Sequence, residues 1–494
     1  MINILFKSFR AIMTCVFIFW ILSTMKFMFE APLYFWFGVT IILALCFYKK
    51  NIFFYIIKSI NTHKRLFSIL VIAYQIVILI STAWMIRSDA ASVYRAATFL
   101  QDMSVTEAYF SRYPNNLLLL IYERLFFNIF GLKYAIWVMQ LLNMVYLNFS
   151  LFLLYLIAKK YFSNKTADIV YFLSVFIIGF SPQFMAMYTD IMLLPIITIQ
   201  LYLIAEITTN RFSLYNVIGL AFISAIGIFV RPTAVILIIA AVGILLLRKF
   251  NRTTAIRTIT LVAIMFSLFK VFDYFKDQQT IVKLKKEDSI TALAYIDLGL
   301  TFNGADQIDF QRGLSMFVED GEPRFSNRVV LADINRRLDE YTPLSFAGHL
   351  FLKFYNTVKE GTLQWVYRSP IPGDKFTILN PLLPYTESSL FAKIIRKFLI
   401  EVDSKYFTLY KYIQQVVWIV ISVGLLLNVR YIKDNYFNDI LLLTIFGGLL
   451  FLMIFEGGKT RYLIQFLPEI LLVSSLGISN VVNYWKKSIV KTGT

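Results

Sequence analysis

The amino-acid sequence predicts an all-α polytopic membrane protein with about 12 transmembrane helices, external interfacial helices and one large external loop. Three observations predict it. Hydrophobic residues make up 58% of the 494 positions and charged residues only 16%, which leaves a soluble chain of this length short of polar surface. The mean hydropathy is +0.67, and the apolar residues gather in runs long enough to cross ~30 Å of hydrocarbon. Such runs must be helical, because hydrocarbon offers no partner to an open backbone. Finally, short basic groups recur at alternate ends of the runs, as lysine and arginine do on the cytoplasmic side of a membrane.

In chain order the spans fall near 11–28, 32–48, 66–86, 134–157, 167–184, 189–206, 213–230, 232–247, 256–275, 409–428, 438–455 and 463–483. The first of them, with Lys7 and Arg10 ahead of it, has the outline of a signal peptide. No small-residue cleavage site stands near Glu30-Ala31-Pro32, so it reads as a retained span. Residues 1–275 then form a transmembrane region, 276–408 an extracytoplasmic loop, and 409–494 the C-terminal transmembrane helices.

The formal charge of +18 does not point to nucleic acid, because the basic residues form no single patch. Lys49, Lys50, Lys58, Lys64 and Arg65 sit at one set of span ends, as do Lys159, Lys160, Lys165, Arg211, Arg248, Lys249, Arg252, Arg257, Arg430, Lys433, Lys486, Lys487 and Lys491. The opposite ends hold few: Lys26, Arg231, Lys459 and Arg461. Both termini are therefore expected in the cytoplasm and the chain in the plasma membrane. Cys15 and Cys46 lie within apolar runs, and His63 and His349 are too scattered for a histidine-rich metal site. Neither a cofactor nor a metal is indicated.

Two external segments break the apolar pattern. In the first, 87–133, the stretch 116–130 is apolar but carries Glu123 and Arg124, which suits a helix lying in the interface. Near the end of the second, 276–408, the stretch 390–400 is an amphipathic helix of the same kind. The external edge collects Asp89, Asp190, Arg231, Glu456 and Arg461, and charges beside spans are costly unless paired or functional. Asp89, after Arg87-Ser88, can take a proton from an attacking hydroxyl; alternatively Ser88 or Asp89 caps a helix over 90–100. Asp190 opens the sixth span, where helix capping is again the alternative. Arg231-Pro232 and Lys459-Thr460-Arg461-Tyr462 can bind a phosphate or serve as snorkelling anchors. No P-loop, dinucleotide fingerprint or His-Glu-x-x-His pattern appears.

These residues, with the interfacial helices of the first external loop, resemble the GT-C superfamily of integral-membrane glycosyltransferases. The likeness is to the branch holding protein mannosyltransferases and lipid A aminoarabinose transferases, and within it to Gram-positive bacterial members. It implies inverting transfer of a sugar from a polyprenyl-phosphate carrier such as undecaprenyl phosphate to a cell-envelope glycan, lipid or protein. Asp89 matches the catalytic aspartate of such enzymes, and Asp190, the aspartate before the sixth span, is a second catalytic candidate. Arg231 and Arg461 match candidate phosphate-binding positions, with Arg87, Tyr113 and Tyr462 as further substrate-binding residues. The chain departs from better-known members in having Tyr113-Pro114-Asn115-Asn116 where a Pro-Pro-rich tract is usual, and no Asp-x-Asp pair in the first loop.

A polysaccharide polymerase or ligase using lipid-linked glycans is a rival reading, and a flippase or transporter is another. Transporters favour repeated halves and helices broken at the midplane; here Lys270 in the ninth span is the main residue pointing that way. The charge alternation predicts that a cysteine placed at Glu340 reacts with an impermeant thiol reagent in intact cells, while one placed at Thr494 does not. Labelling at the C-terminus without labelling in 276–408 would reverse the orientation.

Overall fold

The apolar runs fold as helices, packed side by side with their charged ends at two opposite levels. The fold is seen in a computed structural model that describes residues 2–48, 59–82, 84–85, 88–209, 213–248, 250–364, 377–378, 382–386, 388–431 and 435–492. Arg87 lies outside the described residues, as do the basic residues Lys49, Lys50, Lys58, Arg211, Lys249 and Lys433.

The N-terminal part runs through α1 (Ile2–Phe29), α2 (Leu33–Tyr48) and α3 (Lys64–Ser81). The third span is shorter than the expected 66–86: the helix stops at Ser81, and β1 (Trp84–Met85) pairs antiparallel with β2 (Thr377–Ile378). Two short helices follow, α4 (Ser88–Ala97) and α5 (Met103–Arg112). Next comes α6 (Leu117–Tyr161), which is two helices in one, because Gly131 breaks it with φ +68° and ψ 174°. Only glycine adopts that conformation without strain. The break falls between the interfacial stretch 116–130 and the span expected from 134.

Helix α7 (Asn164–Ser174) starts on a Ser163 cap that accepts from the Thr166 amide at 3.0 Å. The expected span 167–184 does not continue as one helix. It passes into a π turn over Val175–Gly179 and a 3-10 turn over Pro182–Met185, where Pro182 has no N–H to extend the ladder. Then come α8 (Thr189–Thr208), α9 (Leu214–Val230), α10 (Val235–Arg248) and α11 (Arg252–Gln278). Among the described residues, 8 helices are long and apolar enough to cross a membrane. The remaining expected spans also fall on helices, but shorter ones.

A separate helical unit is built from α12 (Ala292–Gly299), α13 (Gln307–Ser315), α14 (Asn327–Glu340) and α15 (Pro343–Val358). Its small core includes Leu298, Phe310, Leu314, Val329 and Val330, all fully buried. Beside it the buried Arg337 guanidinium meets Asp297 at 2.8 Å, Asp309 at 2.6 Å and Asp333 at 3.0 Å. Helix α16 (Leu390–Leu399) buries Ala392, Ile395 and Leu399 and exposes Leu390, Phe391 and Ile394. The chain closes with α17 (Lys405–Tyr431), α18 (Tyr436–Ile454) and α19 (Leu467–Thr492).

Packing is densest where α17 lies against α19 and α1. Trp20 and Trp418 meet there with ring centres 5.8 Å apart, both fully buried. The Trp418 indole donates to the Val358 carbonyl at 2.7 Å, so it ties the end of α15 into the bundle. At the level expected in the cytoplasm, Lys64 pairs with Asp168 and Lys160 with Glu206. There, too, Arg10 and Arg248 reach the buried Asp439 at 3.6 and 2.6 Å. The opposite level carries the candidate site.

Candidate functional site

The site is assembled from four turns at one end of the bundle. Asp89 stands in the first turn of α4, where backbone N–H groups favour a carboxylate. The Tyr109 hydroxyl, from α5, donates to Asp89 Oδ1 at 3.2 Å and accepts from Asn116 Nδ2 at 2.8 Å. The Asn116 carbonyl oxygen faces the Tyr188 hydroxyl at 3.5 Å. Burial pushes the Asp89 carboxyl up from its ordinary value, and the Glu456 charge adds to that; the Tyr109 hydrogen bond and the Arg461 and Lys459 charges act the other way. Tyr113 caps the end of α5 with its ring 5.2 Å from that of Tyr109. Burial raises its pKa, and the Asp89 charge raises it further.

Asp190 is the second residue of α8, but its side chain makes no cap there. It lies buried between two guanidinium groups instead. Arg231 Nη1 pairs with Oδ1, and Arg461 Nε lies 3.6 Å from Oδ2. Arg231 is delivered by the turn between α9 and α10, where Pro232 opens a 3-10 turn over Pro232–Ala234 and its missing N–H costs nothing. Arg461 comes from the 3-10 turn Thr460–Phe466 before α19.

Tyr462 packs between these charges. Its ring centre is 5.7 Å from the Arg231 guanidinium and 6.0 Å from that of Arg461. Its hydroxyl donates to Glu456 Oε1 at 2.5 Å, and Lys459 Nζ reaches the same oxygen at 3.3 Å. Arg461 also lies 5.5 Å from the Tyr188 ring and keeps 34% of its side chain exposed. The result is a half-open edge with one half-buried carboxylate, two arginines sharing a second, buried carboxylate, and a tyrosine lining. Such an edge can accept a proton at Asp89 and hold an anion at the exposed face of Arg461.

Of the residues expected from the sequence, Asp89, Tyr113, Asp190, Arg231, Arg461 and Tyr462 are gathered here; Arg87 is not among the described residues. Sequence reasoning assigns no role to Tyr109, Asn116, Tyr188 or Glu456, and reads Lys459 only as part of the Lys459-Thr460-Arg461-Tyr462 stretch. Glu456 is visible as a charge at the same edge, whereas tyrosines and an asparagine in a tyrosine-rich chain carry no signal of their own. Among the described residues no three His, Cys, Asp or Glu side chains gather to hold a metal ion.

One buried lysine fixes the segment that carries Glu456 and Arg461. Lys353 of α15 is fully buried. Its ammonium donates to Gly299 O at 2.9 Å, Met453 O at 2.9 Å and Phe455 O at 2.6 Å. It thus sits on the C-terminal carbonyls of α12 and α18 at once, where a cation is favoured by both helix dipoles. Gly457 makes room for it, since a Cβ there would stand 2.8 Å from Lys353 Cε and 2.1 Å from Leu452 O. Two further bonds from α15 grip the same segment: the Gly458 amide to Thr357 Oγ1 at 3.1 Å, and Thr460 Oγ1 to Asn356 O at 3.0 Å.

A protein-family profile described as "Conserved hypothetical integral membrane protein" matches residues 7–482. The chain belongs to that family. No curated protein sequence matches it. Among solved structures, the crystal structure of ArnT from Cupriavidus metallidurans bound to undecaprenyl phosphate is similar to this member at 12% identity and a TM-score of 0.31, over 84% of this chain and 77% of that one.

The clamp makes a direct prediction for this family member. Lys353→Met keeps the length of the side chain but leaves buried carbonyls without a donor, each an omission of about 1–3 kcal/mol. Thermal unfolding of the purified variant should begin well below that of the parent. An unchanged midpoint would mean that the three hydrogen bonds do not hold the segment.

Proposed function

We propose that the protein is a membrane glycosyltransferase of the GT-C type, which moves a sugar from a polyprenyl-phosphate carrier to an acceptor hydroxyl at the outer face of the membrane. The single observation that carries this reading is a half-buried carboxylate, Asp89, linked through Tyr109 and Asn116 to Tyr188, on whose ring lies Arg461, which itself shares Asp190 with Arg231. One end of that arrangement suits a base and the other a phosphate, as the resemblance of the sequence implies.

In this mechanism the acceptor hydroxyl gives its proton to Asp89 and its oxygen attacks the anomeric carbon. The bond from that carbon to the phosphate oxygen breaks, and its electron pair leaves with the polyprenyl phosphate. Attack from the side opposite the leaving group inverts the configuration. Negative charge grows on the phosphate as the bond breaks, and guanidinium groups already held in place stabilise it without reorganising. Asp190, matched by the sequence to a second catalytic carboxylate, acts here as a positioning residue: it holds both arginines at one end and stays bound to them. Tyr113 and Tyr462 line the sugar and phosphate ends. The donor and acceptor are met outside, with both termini in the cytoplasm, and the acceptor is a cell-envelope glycan, lipid or protein.

Arg461→Ala and Arg231→Ala should each weaken binding of a polyprenyl-phosphate donor to the purified protein by about 1.5–3 kcal/mol, the worth of a charge-assisted hydrogen bond. Unchanged affinity in both variants would leave them as interfacial anchors.

Asp89→Asn should reduce transfer of a labelled sugar by about 10²–10⁴-fold, the usual contribution of a general base, while donor binding persists. Asp190→Asn should cost less. Because burial raises the pKa of Asp89, the base gains a proton, and activity falls, at a higher pH than for an aspartate in water. The Tyr109 bond lowers that pKa, so Tyr109→Phe should move the acid limb of the pH–rate profile to still higher pH. Near-normal transfer by Asp89→Asn would remove the central residue of this reading.

A further inference from the structure

Away from the Asp89–Arg461 site, three lysines from three helices converge on one group of aromatic rings. Lys26 lies in the last turn of α1, Lys359 is the C-cap of α15, and Lys411 is near the start of α17. The ammonium groups of Lys26 and Lys359 stand 4.8 and 4.9 Å from the centre of the Tyr355 ring. Lys359 and Lys411 share the Phe27 ring at 5.8 and 4.5 Å, and Lys411 is also 5.5 Å from Tyr412.

Ring faces attract cations, but three ammonium groups this close repel one another. Burial lowers the pKa of Lys359, and the Lys411 and Lys26 charges lower it further against the opposing pull of Glu360 and Glu30. Those two carboxylates are engaged by hydroxyl groups: the Tyr355 hydroxyl donates to Glu30 at 3.2 Å, and the Thr362 hydroxyl donates to Glu360. Lys359 gives one N–H to Asn356 Oδ1 at 2.7 Å, and an ammonium has three. Lys26 is exposed, and Lys359 and Lys411 are half-buried, so all three remain accessible. Beside them, Phe29, Leu33 and Phe37 are exposed by 70, 87 and 70%. A ligand that suits both surfaces is anionic at one end and apolar at the other.

We propose that Lys26, Lys359 and Lys411 form a second anion site, which takes the phosphate head of a membrane lipid whose chains run along the exposed apolar start of α2. The two ends of the site divide the work. The lysines supply N–H donors and charge to a phosphate, the rings hold the lysines in place while the site is empty, and the apolar residues meet the chains. The site uses neither Arg231 nor Arg461 and stands whether or not the protein transfers sugars.

Native mass spectrometry of the purified full-length protein in a neutral detergent tests it, with short-chain phosphatidic acid and phosphatidylcholine of the same chains as probes. Phosphatidic acid should bind, and phosphatidylcholine about tenfold or more weaker. The double variant Lys359→Gln/Lys411→Gln should lose about tenfold or more in affinity for phosphatidic acid. Lys26→Gln, a change at an exposed side chain, should lose several-fold and keeps the test valid if the double variant does not fold. Lys393→Gln/Lys397→Gln, exposed lysines on α16, should bind as the parent does. Resistance of the bound lipid to inorganic phosphate supports the lipid as the source; displacement by it supports the phosphate site but assigns it to the free ion. Equal binding of the two lipids, or unchanged phosphatidic acid binding in both Lys26→Gln and the double variant, overturns the proposal.

Discussion

The Asp190 carboxylate, buried between Arg231 and Arg461, is the contact on which the candidate site depends. It joins the start of α8, the turn between α9 and α10, and the turn before α19. A buried carboxylate with no partner is expensive, and so is a buried guanidinium. The three groups therefore hold one another, and the arginines are already oriented before any ligand arrives. Preorganised charge of this kind needs no reorganisation when charge develops on a substrate.

Lys353 repeats the same logic outside the bundle. Its ammonium binds carbonyls at the C-terminal ends of two helices, α12 and α18. The α12–α15 unit is thereby fastened to the segment holding Glu456, Lys459 and Arg461. A lysine this deeply buried can persist only because every carbonyl it faces is a good acceptor. Gly457 contributes by lacking a side chain where the lysine passes. The tertiary bonds from Asn356 and Thr357 continue the contact along α15, so the α12–α15 unit and the bundle meet along that helix.

Asp89 is held differently, by tyrosine and asparagine side chains and not by an ion pair. Tyr109, Asn116 and Tyr188 link α5, the turn before α6 and the start of α8 to its carboxylate. Burial disfavours the charged form while the nearby Arg461 and Lys459 favour it. This balance keeps Asp89 distinct from Asp190, which has guanidinium partners on both oxygens. Two aspartates that look alike in the sequence thus acquire different chemistry from their neighbours.

The sequence by itself determined the helical class, the order of the apolar runs and the edge at which the charges gather. Each depends on local composition: hydrocarbon demands helices wherever residues are apolar for long enough, and charges stay at span ends because burying them is costly. It also separated the stretch 116–130 from the span beginning at 134; the structure puts the break between them at Gly131. Only the tertiary structure decided that the third span stops at Ser81, that the fifth breaks into π and 3-10 turns, and that Asp190 bridges two arginines instead of capping its helix. Those outcomes turn on partners distant in the chain. The Arg231–Asp190 pair spans 41 positions, and Lys353 reaches carbonyls up to 102 positions away. Neither spacing has a period or a motif, because what selects such a partner is the packing of helices around it.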